Sequence, residues 1–285
     1  MKAATIFICQ LAVSLPSIAQ AEEHALPTNK LILDLDAAKG LDLEDANRVA
    51  AWHNQAPIKP RLIFGKQDEG RTEAGSGRPT LRKNATGPDG KPSVIFRQQE
   101  LVCEDEDIFD SLTKGKGHTW MAVISVYRQR VGVKDVNSFF GNLRNGGKYE
   151  GFWGCLDDDN TIWWGSRNGI SFGRFDQNNP KVSGPVLEEG TFHIIAGRMQ
   201  AGTGEVKLSL YVNSPEAVTS GAFPVNPDAN PSRMAIGQER DAIEHPGKES
   251  FDGEIARFLI WERPLDDKEL AAAMQHLVTE YLKAD

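Results

Sequence analysis

Cysteine is scarce in this chain, with only three among 285 residues, at positions 9, 103 and 155. That excludes a disulfide-stapled scaffold and the repeated Cys/His spacing of a zinc ribbon. Several catalytic signatures are missing as well. There is no H-E-x-x-H, no Walker loop and no dinucleotide-binding glycine pattern. Ser166 lies between glycines in WGSRNG but lacks the spacing of a nucleophile elbow. The histidines (24, 53, 118, 193, 245 and 276) are scattered, with no close pair at metal-ligand spacing. After the N-terminus no apolar run is long enough to span a bilayer. Cationic excess is lacking too: 32 Lys and Arg face 40 Asp and Glu, a net charge of −8. Such a balance disfavours nucleic acid or an anionic membrane as the main partner, because both require a positive surface.

What is present begins with MKAATIFICQLAVSLPSIAQA, in which Lys2 precedes an apolar stretch and a small-residue pattern at Ala19-Gln20-Ala21. This reads as a secretory signal peptide, residues 1–21, which leaves residues 22–285 as one mature domain outside the cytoplasm, secreted or periplasmic. Without Lys2 the mature part carries 31 basic and 40 acidic residues, a net charge of −9. Cys9 falls in the discarded part. Cys103 and Cys155 remain, and an oxidising compartment allows one disulfide or two buried thiols.

Short runs rich in β-branched and aromatic residues recur along the chain, bounded by Gly, Pro, Asn and Asp. They include 31–35, 49–53, 93–97, 118–127, 137–143, 161–165, 170–175, 191–199, 205–212, 233–237 and 254–262. Many short strands without a linker or repeat predict a single all-β sandwich or jelly roll. Residues 56–92 and 213–250 read as long loops. The end of the chain is the most explicit stretch. Strand 254–262 is apolar on both faces apart from Arg257, so it must be covered on both sides. Asp266 and Glu269 then form a capping box, and Leu265 and Leu270 a hydrophobic staple. Leu270, Met274, Leu277 and Tyr281 follow as one apolar stripe, which predicts a short helix laid against the β structure.

FDGEIARFLIWERPLDDKEL resembles the C-terminal signature of the LamG-like jelly rolls of the concanavalin A-like lectin/glucanase superfamily. VAAWHNQ, GRPTLRKNATGPDGKPSVIF, HTWMAVISVY and EVKLSLYVNS resemble its earlier segments in the same order. The resemblance implies a two-sheet antiparallel jelly-roll sandwich with a short C-terminal α-helix. It also implies binding of an extracellular glycan, with polysaccharide cleavage or protein adhesion as the alternatives. Three positions depart from the family pattern: Asn54 replaces an aspartate, Asn213-Ser214 replaces an Asn-Gly turn, and Arg257 replaces a glutamate.

Glycoside cleavage needs two carboxyl groups facing across a short gap. The run CEDEDIFD supplies Glu104, Asp105, Glu106, Asp107 and Asp110, but consecutive acids cannot all face one cleft, so the run reads as a solvated turn. Arg71-Thr72-Glu73 resembles a fragment of an alginate-lyase motif whose other parts are missing. Asp157, Asp159 and Asn160, with Asp252, are hard-oxygen residues that suit Ca²⁺, although the same side chains close ordinary hairpins. Tyr149, Phe152, Trp153, Trp163, Trp164, Phe172 and Phe175 concentrate in one stretch. Neighbouring tryptophans on a strand point to opposite faces, so one ring of a pair is free to hold the C–H face of a sugar. Asn142, Arg144, Arg167 and Asn168 are then the polar partners for its hydroxyls. The competing expectation is that every ring is core. Together these features predict a non-catalytic carbohydrate-binding domain without nucleic-acid partner or membrane span.

Overall fold

The structure, a computed structural model, describes residues 25–66, 76–87, 89–105, 107–130, 137–144, 149–170, 181–239 and 250–282. Residues 1–21, read from the sequence as a signal peptide, and Arg71-Thr72-Glu73, Glu106, Phe172 and Phe175 lie outside these residues. The first strands are β1 (Leu31–Asp36), β2 (Leu41–Glu44), β3 (Arg48–His53), β4 (Ile63–Gly65), β5 (Thr80–Thr86), β6 (Lys91–Arg97), β7 (Leu101–Cys103) and β8 (His118–Val126). They are followed by β9 (Asn137–Gly141), β10 (Glu150–Leu156), β11 (Thr161–Asn168), β12 (Lys181–Val186), β13 (Phe192–Met199), β14 (Glu205–Val212), β15 (Ala217–Pro224), β16 (Ala235–Ile236) and β17 (Asp252–Trp261). Helix α1 (Asp267–Tyr281) follows β17 directly.

The strands pair antiparallel in two runs. One runs β2–β3–β4–β7–β16–β9–β10–β11–β12. In the other, β1 and β6 share one edge of β17, and β8, β13, β14 and β15 continue from its other edge. β5 pairs with β6 and also meets β3 at Arg48↔Thr80, so hydrogen bonding makes one 17-stranded sheet. Two separate sheets were expected. The physical reason for the difference is β5 (TLRKNAT), a polar strand that reads as loop yet bridges the runs. At the far side Gly184 of β12 faces Leu210 of β14, and Val182 faces Gly221 of β15, so the sheet nearly closes on itself.

Alternation along the strands sorts the side chains. In β8, Trp120, Ala122, Ile124 and Val126 point to the main core, while Met121 and Val123 point outward. In β17 a bulge between Ile255 and Arg257 shifts the register, after which Phe258 and Ile260 face the core and Leu259 and Trp261 face outward. Across the core Trp120 meets Phe140 of β9 and Trp164 of β11, at ring-centroid distances of 4.9 and 5.9 Å. Such tilted and edge contacts suit the ring quadrupoles.

The outward residues of β8, β13 and β17 are covered by α1, whose Leu270, Ala273, Met274, Leu277 and Tyr281 are buried. The capping box forms as the sequence predicts, with Glu269 N donating to Asp266 Oδ1 at 2.8 Å and Asp266 N to Glu269 Oε2 at 3.2 Å. The strand that needed covering on both sides is therefore β17, with core beneath it and helix above.

Two of the family departures are explained by their contacts. Asn54 Oδ1 accepts from Asp34 N and Ala56 N, while its Nδ2 donates to Ile32 O. An ionised aspartate could accept but not donate. Arg257 donates twice to Asp34, at 2.9 and 3.0 Å, and lies 3.5 Å from Glu280 of α1. Burial works against the Arg257 charge, but the Asp34 bonds and field outweigh it and hold the guanidinium protonated. The long loops expected at 56–92 and 213–250 contain β4, β5, the start of β6, β15 and β16. β15 is largely exposed, which explains its weak apolar pattern.

Candidate functional site

The face of β9–β12 that points away from the core carries a separate cluster: Leu143, Tyr149, Trp153, Cys155 and Trp163. Trp153 and Trp163 stand edge-to-face with centroids 5.5 Å apart. They are only 3 % and 2 % exposed, and Trp164 is fully buried in the main core. The described rings are buried, as the competing reading of the sequence expects, and they form no exposed sugar platform. Arg167 sits over Tyr149 and Trp153, at 4.8 and 5.1 Å, and Lys181 Nζ lies 4.3 Å above Trp163. These cations occupy the ring faces that a sugar would use. Beside Trp153, the backbone at Glu239 crosses so close over Gly141 that a Cβ there would overlap the Glu239 carbonyl. The indole Nε1 atoms of Trp153 and Trp163 remain buried without a hydrogen-bond partner.

The polar residues expected to read hydroxyls serve the backbone instead. Asn142 Oδ1 accepts from Phe152 N, Arg144 Nη1 donates to Asn230 O, and Asn168 Nδ2 donates to Pro224 O. Trp164 Nε1 donates to Ser209 O.

Nor do the expected calcium ligands assemble. Asp157 pairs with Lys181 at 3.2 Å, Asp159 Oδ1 accepts from Thr161 N, and Asn160 closes the β10–β11 hairpin in the left-handed region at φ 67°. Asp252 lies on β17 opposite Arg97, and burial raises its carboxyl against the pull of Arg130 and Arg97. Among the described residues no three His, Cys, Asp or Glu side chains group as a metal site.

Cys103 and Cys155 are separate buried thiols with no bridge between them. Burial pushes the Cys103 thiol up to about 11 and raises Cys155 well above its ordinary value, so neither is an activated nucleophile.

An open cleft lies on the same outward face, at β4 and β7. It encloses about 310 Å³ and is lined by Pro60, Arg61, Leu62, Ile63, Gly65, Cys103, Glu104 and Asp105. Strand alternation shapes it: Phe64 and Cys103 pair and bury their side chains in the core, so Ile63 and Gly65 face out. Ile63 is 46 % exposed, and nothing lies within 4 Å of where a Gly65 Cβ would stand. Arg61 donates from Nε to Asn54 O at 2.8 Å and from Nη2 to Gln55 Oε1 at 3.1 Å. Asp105 Oδ1 accepts from Ile108 N, whereas Glu104 makes no bond among the described residues. The cleft offers acceptor carboxylates, a fixed guanidinium and an aliphatic wall. In the sequence Glu104 and Asp105 read as turn residues because their own segment is merely acidic. The wall that gives them a cleft comes from residues 60–65.

The family profile of the Concanavalin A-like lectin/glucanases superfamily, of laminin G type, matches residues 119–271. The chain belongs to this superfamily. Among solved structures this lectin/glucanase-type chain is similar to Trypanosoma rangeli sialidase in complex with 2-keto-3-deoxy-D-glycero-D-galacto-2,3-difluoro-nononic acid. That likeness has a TM-score of 0.53 at 14 % identity and covers 91 % of this chain and 34 % of the sialidase. A mutant of the same sialidase displaying trans-sialidase activity gives 0.52 at 11 % identity, covering 92 % of this chain and 35 % of that one. The chain therefore spans about a third of the length of these sialidases, and the likeness is one of fold. No curated protein sequence matches it. Among the described residues no helix of the lectin/glucanase-type chain is long and apolar enough to cross a membrane.

Proposed function

We propose that the chain is a non-catalytic carbohydrate-binding domain acting outside the cytoplasm, and that the β4–β7 cleft holds the sugar. The observation that carries this reading is the cleft lining: Glu104 and Asp105 as hydroxyl acceptors, Arg61 as donor, and exposed Ile63 with Pro60 as an apolar wall. A sugar presents the complementary surfaces, hydroxyls around a C–H face. Superfamily membership supports the same class of ligand, though fold alone argues function weakly. Catalysis finds less support. The carboxyl raised by burial, Asp252, does not line the cleft, and Glu104 and Asp105 are adjacent in sequence instead of facing across a gap.

Calorimetry of the purified protein against a broad panel of oligosaccharides tests the reading. Ile63→Ser and Glu104→Gln are each expected to weaken binding of the best ligand by about 1 kcal/mol or more. A panel without a single binder, or a ligand indifferent to both substitutions, would refute it.

The unpartnered indole N–H groups favour a second reading, in which a sugar reaches Trp153 and Trp163 by displacing Lys181 and Arg167 from their rings. That reading requires ligand-dependent quenching of tryptophan fluorescence that Trp163→Phe reduces. Unchanged quenching in the variant removes it.

A further inference from the structure

We infer that the β4–β7 cleft selects sugars bearing a protonated amine over their neutral or N-acetylated counterparts, an inference that rests on the glycan-binding reading of this cleft. Of the three charged side chains that line the cleft, Arg61 is the most committed, since its Nε and Nη2 are held by Asn54 O and Gln55 Oε1. Asp105 keeps one carboxylate oxygen after Oδ1 accepts from Ile108 N, and Glu104 keeps both. The available hydrogen-bonding capacity is therefore mainly acceptor, and the net charge of the lining is negative.

Outside the lining, exposed Asp107 stands two residues beyond Asp105, while the cations Lys59, next to Pro60, and Arg233, which bears on the Cys103 thiol, do not line the cleft. An ammonium group supplies three donors and a positive charge, which suits two carboxylates with open lone pairs. A neutral hydroxyl satisfies the same acceptors without charge assistance. An acetamido group adds bulk and a carbonyl acceptor where the cleft already has an excess of acceptors. Ile63 and Pro60 provide the face for ring C–H groups, which a bare alkylammonium chain would use less fully.

The deciding experiment is calorimetry with three β-linked oligomers of equal length, built from glucosamine, N-acetylglucosamine and glucose, with a lysine oligomer as a fourth probe. The glucosamine oligomer is expected to bind about two- to fivefold tighter than the other two sugars at low salt, the range that exposed charge pairs supply. The margin should shrink towards unity by about 0.3 M salt, as screening acts on exposed charges. Glu104→Gln with Asp105→Asn should erase it, while Ile63→Ser should weaken all three sugars alike. Equal or tighter binding of the glucose or N-acetylglucosamine oligomer overturns the amine inference and leaves the glycan reading standing. So does an amine preference that survives the double substitution, since its source then lies elsewhere. Tighter binding of the lysine oligomer in a Glu104-dependent manner makes this a peptide cleft and overturns the inference. Binding of none of the probes, nor of any glycan in the broader panel, overturns both proposals.

Discussion

His118 begins β8 inside the core, its ring tilted against Phe152 with centroids 4.4 Å apart and Nδ1 donating to Leu112 O at 2.9 Å. Burial holds its pKa down to about 4, only partly opposed by that bond. Because the folded value lies below the ordinary 6.5, the unfolded chain binds more protons between the two. Stability from this residue is thus complete above pH 6.5, falls as pH drops through that window and is gone below about 4, a loss of ~3 kcal/mol. Urea titrations at stepped pH should show this slope, and His118→Gln should flatten it. Asn54 and Arg257 show what single positions disclose before a structure is seen. Each stood out as a departure from the family pattern, but what it does depends on Ile32, Asp34, Ala56 and Glu280, residues that no local pattern associates with it. The fate of Trp153 and Trp163 was hidden for the same reason, since Arg167, Lys181 and the Glu239 crossing reach them through strand pairing and loop path.

Elements whose signals are local were legible. The cap of α1 is written in four consecutive residues, Asp266 to Glu269, and Arg263 adds a forked pair of bonds to Glu269 at 2.5 and 2.6 Å. Hydrogen bonding to Arg263 holds the Glu269 carboxyl below its usual range despite some burial. Asp266→Ala should cost about 1 kcal/mol in chemical denaturation. Glu269→Ala should cost at least as much, because it removes the acceptor of Asp266 N and the Arg263 pairing together. Equal stability of both variants with the parent would mean that the helix end contributes nothing. β4, β5 and β15 carry weak strand signals because β4 is only three residues long, β5 is polar and β15 is largely exposed and built mostly of small residues, and strand periodicity needs one apolar face to be read. β5 is also the strand that joins the two runs, so missing it meant missing the continuity of the sheet.

At the scale of the molecule, strands from both ends of the chain meet: β1 lies beside β17, with Leu31 opposite Trp261 and Asp36 opposite Arg257. The main core draws side chains from β1 through β17 without division. Unfolding should therefore be a single cooperative event, with far-ultraviolet dichroism and tryptophan fluorescence tracing the same midpoint. Two separated midpoints would divide the chain into independent units. The central position of β17 has a consequence for biogenesis. It pairs with β1, β6 and β8, and it is made after all three. Until Asp252–Trp261 has been translated, those three earlier segments have no partner along the edges they will later share with it. The nascent polypeptide must then stay unfinished until β17 has cleared the ribosome.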